Sequence, residues 1–198
     1  MDAANRSATI ADLLRTAAEA LDLLRRERVL TLTPLPGLRS LVGEIAGEVR
    51  GSWWAHPSGR LIFFVASALE DSPEVLGGKL VQGKVAFVHR KLWPSLVRVV
   101  LDPGWRTAAA KGLTAPARQL LTEVERKGRL RLDGRAPARL ALEKRVLVLS
   151  TSEHTESGRH AVVLRSWDDW APAAVRKAAK AIDFERAVAQ LGAAGLTI

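Results

Sequence analysis

The sequence predicts a mainly helical α+β protein, on three observations. Apolar residues recur at i, i+3, i+4 and i+7 over several segments. Shorter segments, VLTLT, RLRLD, VLVLSTSEH and RHAVVLRSW, alternate or are β-branched and read as strands. Residues 102–113, DPGWRTAAAKGL, mix turn formers with small residues and lack an apolar stripe. They mark a boundary between a helical region, 1–104, with one or two short strands, and a second domain, 113–198.

Thr9 and Asp12 make a capping pattern for a helix over 9–28, with Ile10, Leu13, Leu14, Ala17, Leu21 and Leu24 on one face. Val29–Thr33 is a short strand ended by Pro34 and Pro36, and a helix follows over 37–49. GSWWAHPSG is a loop, and the apolar run Leu61–Leu69 reads as a buried helix. Ser72-Pro73-Glu74 carries helix-start signals, an N-cap, a first-turn proline and a carboxylate, so a helix is expected over 73–82. Then come a strand, 84–89, and a helix, 91–101. The second region reads as helix from Thr114 to Gly128, strand 129–133 and helix 136–144. Strands 146–154 and 159–167 follow, turning at Ser157-Gly158, and one helix from Pro172 to Leu191 closes the chain. No internal repeat is visible.

Net charge decides more than composition does. The chain has 198 residues, no cysteine, and 30 basic against 21 acidic side chains. Residues 1–35 and 168–198 are neutral; residues 36–113 carry +4 and residues 114–167 carry +5. A basic middle between neutral ends suits a polyanion. The absence of cysteine excludes disulfides, thiolate zinc sites and thiol nucleophiles. MDAANRSATI has neither the basic nor the apolar part of a signal peptide, and no apolar run approaches the ~20 residues of a membrane span. A cytoplasmic location without membrane association is the expectation.

The helix TAPARQLLTEVERKG, the strand RLRL, the helix APARLALEKR and the hairpin VLVLSTSEHTESGRHAVVLRSW follow one another in an order that resembles winged-helix DNA-binding proteins. Residues 114–167 carry the likeness, about a quarter of the chain. It implies a helix in the major groove and a hairpin, the wing, along the backbone or in the minor groove. One departure is the single short helix between the first strand and the wing, where such modules have two. A weaker likeness points to winged-helix DNA glycosylases that unhook crosslinked bases, without their glutamine-rich signature.

The nucleic-acid-binding candidates are accordingly Arg135, Arg139, Lys144 and Arg145 around the short helix, and His154, Arg159 and His160 at the hairpin. The same hairpin residues also read as solvated cross-strand pairs. Two histidines with a choice of carboxylates fall short of a structural zinc site, so no metal and no cofactor are expected. GGKLVQGK lacks the order and the hydroxyl of a phosphate-binding P-loop. Ser52 with His56 has no third partner, and no catalytic constellation stands out. Most tryptophans read as packing, Trp53 and Trp54 excepted. The expected function is double-stranded DNA binding. A DNA-processing enzyme and a protein–protein module are the alternatives.

Overall fold

The computed structural model describes residues 9–132, 137–154 and 160–198, with 152–154 and 160–161 described by backbone alone. The described residues open with helix α1 (Ile10–Glu27), where the Thr9 hydroxyl accepts from the Asp12 amide and the Asp12 carboxylate accepts from the Thr9 amide. Strand β1 (Val29–Thr31), helix α2 (Leu41–Ala46), a 3₁₀ turn (Trp53–Ala55) and helix α3 (Gly59–Glu70) lead to a hairpin, β2 (Val75–Val81) and β3 (Lys84–His89). Helix α4 (Trp93–Val100) follows. The second region runs α5 (Pro103–Ala110), α6 (Ala115–Lys127), β4 (Arg129–Leu132), α7 (Pro137–Lys144), β5 (Leu149–His154) and β6 (His160–Arg165). It closes with α8 (Trp167–Trp170), α9 (Ala173–Lys180) and α10 (Phe184–Ala193).

The fold is therefore α+β and mainly helical. Its strands form two antiparallel three-stranded sheets, ordered β1-β3-β2 and β4-β6-β5. The two sheets are built alike, down to register. Val29, Leu30 and Thr31 pair with Val88, Phe87 and Ala86 as Arg129, Leu130 and Arg131 pair with Arg165, Leu164 and Val163. Leu76 pairs with Val88 as Leu149 pairs with Arg165. Before the first strand of each set the chain turns through a positive φ, 72° at Arg28 and 75° at Gly128. Each turn residue's carbonyl accepts from the residue that ends or directly follows the third strand, His89 at 2.9 Å and Ser166 at 2.8 Å. The two units thus share the order helix, strand, helix, strand, strand, with α2 and the 3₁₀ turn added between β1 and α3 in the first, a likeness not visible as a repeat in the sequence. Side-chain identity hides it, because a repeat needs only matching apolar positions. The stretch between first and second strands is also far longer in the first unit, 32–74, than in the second, 133–148.

Equivalent parts of the two units meet. Edge strand β2 lies against edge strand β5. Trp93 and Trp170, each in the helical turn after its third strand, contact edge to face with ring centroids 5.4 Å apart. Leu80, Leu96 and Val100 pack in one buried cluster with Val146, Leu149, Trp167 and Leu191. The regions divided at 104–113 thus share a core, and α9 and α10 return onto α4.

Several expected elements change. Residues 75–81 form a strand, since Gly77 and Gly78 weaken a helix interior and pairing with β3 buries Val75, Leu76 and Leu80. Ser72-Pro73-Glu74 makes a turn instead. The expected boundary contains α5, started by Asp102, whose carboxylate accepts from Gly104 and Trp105, and fixed by Trp105 packing on both cores. Helix 37–49 shrinks to α2 behind the Ser40 cap. Strand β5 begins only at Leu149, because Val146 takes a φ of 54°. Trp167 begins α8 rather than ending β6. The closing helix breaks at Asp183, which caps α10 through the Arg186 amide at 3.2 Å. The turn at Asp133-Gly134 and the one at Ser157-Gly158 lie outside the described residues.

Candidate nucleic-acid interface and a polar cleft

The hairpin β5–β6 places His154 opposite His160 in register. Arg135 and Arg159 lie outside the described residues. Helix α7 does not present its arginine to solvent, and Arg145 just beyond it is half-buried. Arg139 is 5% exposed and points toward Glu143, one turn on, with its Nε 3.7 Å from Oε1. Arg145 donates to the Ala109 and Lys111 carbonyls at 2.9 and 2.5 Å, tying α7 to the end of α5. Only Lys144 of the described trio is exposed. The physical reason is packing on both sides, since α7 contacts α6 and also β2 of the first unit. On β4, Leu130 and Leu132 turn to the core against α6 and α7, so alternation sets Arg129 and Arg131 on the sheet's other face. Both are exposed.

The second basic cluster of the sequence divides in two. Lys84, Arg90 and Lys91 are exposed. His89 is buried, 3.2 Å from the Glu74 carboxylate through Nε2, and its Nδ1 accepts from the Lys91 amide. Arg25 of α1 grips Glu74 with Nε at 3.2 Å and Nη2 at 2.5 Å. Arg25 first, then His89, hold the Glu74 carboxyl down at about 2. Burial pushes His89 below the usual histidine range; Glu74 opposes that, and Arg28 and Lys91 add to it. The cluster staples α1 to the first sheet.

A cavity of about 450 Å³ separates the two sheets where β2 and β5 face each other. Glu70, Gly77 and Lys79 line one side; Ser150, Thr151 and Arg165 line the other. Helix α7 adds Arg139 and Glu143. The Lys79 ammonium donates to Glu143 Oε2 at 2.6 Å, across the two units. Glu143 is 1% exposed, yet its Oε1 and the Arg139 Nε have no hydrogen-bond partner. Native interiors leave few such groups. The glycines let the β2 edge come close: a Cβ on Gly78 would lie 2.9 Å from Leu149 Cδ1, and one on Gly77 would lie 2.9 Å from Glu70 Cγ. Although Glu70 as a residue is exposed, withdrawal of its carboxyl from water, and then Asp71, raise it above the usual glutamate range.

Sequence reasoning missed this cleft. Neither Lys79 nor Glu143 stands in a sequence motif. A signal existed in the glycine pair of β2, which only a close approach requires. Around the rest of the chain, Trp53 and Trp54 stack at 3.9 Å with Trp54 62% exposed, and the His56 Nδ1 accepts from the Ser58 amide. Among the described residues no three His, Asp or Glu side chains converge as a metal site, and no helix is long and apolar enough to cross a membrane. Comparison with family models, curated proteins and solved structures returned no match. Any function must therefore be argued from the geometry.

Proposed function

We propose that this protein binds duplex DNA through the second unit, by the face of β4 that carries Arg129 and Arg131 and by the β5–β6 hairpin. The observation that carries the reading is the difference between the two hairpins. The β2–β3 turn is closed at Gly83, which lies 3.6 Å from the Lys144 backbone when a Cβ is added, so it is packed against α7. Strands β5 and β6 instead belong to the most basic stretch of the chain, 114–167 at +5. The strand order β4-β6-β5 beneath it supports the likeness to winged-helix proteins. A groove-reading role for α7 is not part of this reading: Arg139 is buried beside Glu143 and Arg145 donates to the Ala109 carbonyl. Exposed Arg131, Lys144 and the hairpin cations Arg159, His154 and His160 take the contacts. Contacts of this kind are made to phosphates, so they position the protein without reading sequence.

Fluorescence anisotropy with a labelled duplex at two ionic strengths tests it. Wild type should show a log K that falls with log salt, by about 0.9 for each phosphate contact. Arg131→Ala and Arg159→Ala should each flatten that slope and weaken binding alike on unrelated sequences. Binding that ignores salt, or slopes untouched by both variants, would overturn the reading.

A further inference from the structure

We propose that the cleft between the two sheets is a binding site for a protonated phosphate group, either inorganic hydrogen phosphate or a phosphate monoester. Its polar atoms form an incomplete pattern. Arg139 Nε–H is a buried donor and Glu143 Oε1 a buried acceptor, 3.7 Å apart, and neither is hydrogen-bonded. Lys79 uses one of its three protons on Glu143 Oε2, and its 30% exposed side chain reaches into the same cavity. A ligand completing this pattern must accept from a guanidinium and an ammonium while donating to a carboxylate. Hydrogen phosphate does all three, with anionic oxygens for Arg139 and Lys79 and a P–O–H for Glu143. Monoesters offer the same group increasingly as pH falls through their second ionisation near about 6. Sulfate has no proton at neutral pH and would bring a lone pair against Glu143. A phosphodiester lacks the proton too, so the cleft calls for a different group from the DNA backbone, although Arg129 of β4 also lines it.

The volume, about 450 Å³, admits a phosphate with a small substituent. The charges divide: Arg165 is held by Asp169 at 2.8 Å and Glu143 is matched by Lys79 and Arg139, while Glu70, on the β2 side of the lining, has no cation beside it and is raised above the usual glutamate range by its withdrawal from water. Position matters as well. The site is made by Lys79 of the first unit and Arg139 and Glu143 of the second, so an occupant would hold the two together.

The test follows the Arg139 Nε–Hε signal by ¹⁵N NMR at constant ionic strength while inorganic phosphate or sulfate is titrated into the full chain. The Arg139→Lys variant assigns the signal. Phosphate should shift it saturably and sulfate should bind at least about tenfold more weakly, since leaving a buried acceptor unpaired costs that much. Glu143→Gln should erase the discrimination, and Lys79→Gln should weaken phosphate without erasing it. Should Glu143→Gln not fold, the phosphate-to-sulfate ratio in wild type decides alone. A 5′-phosphorylated DNA strand that displaces phosphate where its 5′-hydroxyl twin does not would identify a nucleic-acid end as the source. Failure of both strands to displace it would identify a free phosphate compound. An unmoved signal, or equal response to phosphate and sulfate, would overturn the proposal whatever the duplex experiment shows.

Discussion

In the first unit the hairpin turn is short and lies against α7, whereas in the second the described strands end at His154 and His160, and neither belongs to a turn packed on a helix of the other unit among the described residues. The same division of labour shows at the cleft. Glu70 and Glu143 each stand six residues before Leu76 and Leu149, which hold equivalent register positions. Glu143 is sealed in with two cations; Glu70 sits at the wall with none and with Asp71 beside it. One strand plan has been used twice, and the asymmetry arises because Lys79 of the first unit is given to the second. Identical backbones do not make equivalent sites; the countercharge does.

The largest expected effect breaks that pair of glutamates apart. Glu143→Ala leaves Arg139 buried beside Lys79 with nothing between them, and losing one partner of a buried pair costs about 3–5 kcal/mol. Glu70→Ala removes a carboxyl that gains nothing from its surroundings, and its cost should stay within about 0.5 kcal/mol, as for an ordinary surface change. Urea denaturation of the two variants measures both. Equal losses would mean that the two positions are equivalent after all.

The next contrast is at the end of the third strand, where His89 and Ser166 occupy the same place and both cap the following helical turn. Only one of them titrates. Because His89 is held below its unfolded value near 6.5, the unfolded chain binds the extra proton first and stability falls as pH drops through the folded value. Glu74, about 2 when folded against about 4.5, continues the loss down to its own folded value. Hydrogen exchange between pH 7 and pH 5 should therefore loosen β3 more than β6. His89→Gln should remove that difference while costing about 1–3 kcal/mol at neutral pH for the disturbed buried bonds. Matching acid sensitivity in the two strands would contradict this account.

Local signals in the sequence were enough to place α1, α3, α6 and α7, and strands β1, β3 and β4, because caps and apolar spacing at Thr9, Thr114 and Gly128 act over a few residues. They failed where a distant partner decides. Val75–Val81 has a good helix start and becomes a strand because β3 is there to pair with it. Arg139 has the look of a groove-facing arginine and is buried because β2 of the other unit covers it. The cleft was illegible for the same reason: Lys79 and Glu143 lie far apart in the chain, and no spacing rule connects them. The +5 charge of residues 114–167 was legible as a number, whereas its arrangement, inward on α7 and outward on β4, depended on packing.

The smallest expected effect sharpens the comparison at the turn before the first strand. Gly128 takes a φ of 75° at no steric cost, and Arg28 is held at 72° in the same place. A non-glycine residue there is strained by roughly 1–2 kcal/mol. Its side chain brings a second penalty, because Arg28 Nη1 is buried without a hydrogen-bond partner. Arg28→Gly should relieve both, and after about 0.5–1 kcal/mol is returned as glycine's extra unfolded-state freedom, a net gain of about 0.5–1 kcal/mol should remain. Removing a cation that lowers His89 should also move that histidine upward, toward its unfolded value, so the acid loss of β3 should shrink. Thermal denaturation with a His89 titration by NMR reads both. A variant less stable than wild type would show that Arg28 makes a contribution through its side chain that outweighs its backbone strain, and the two turns would then be alike in shape only.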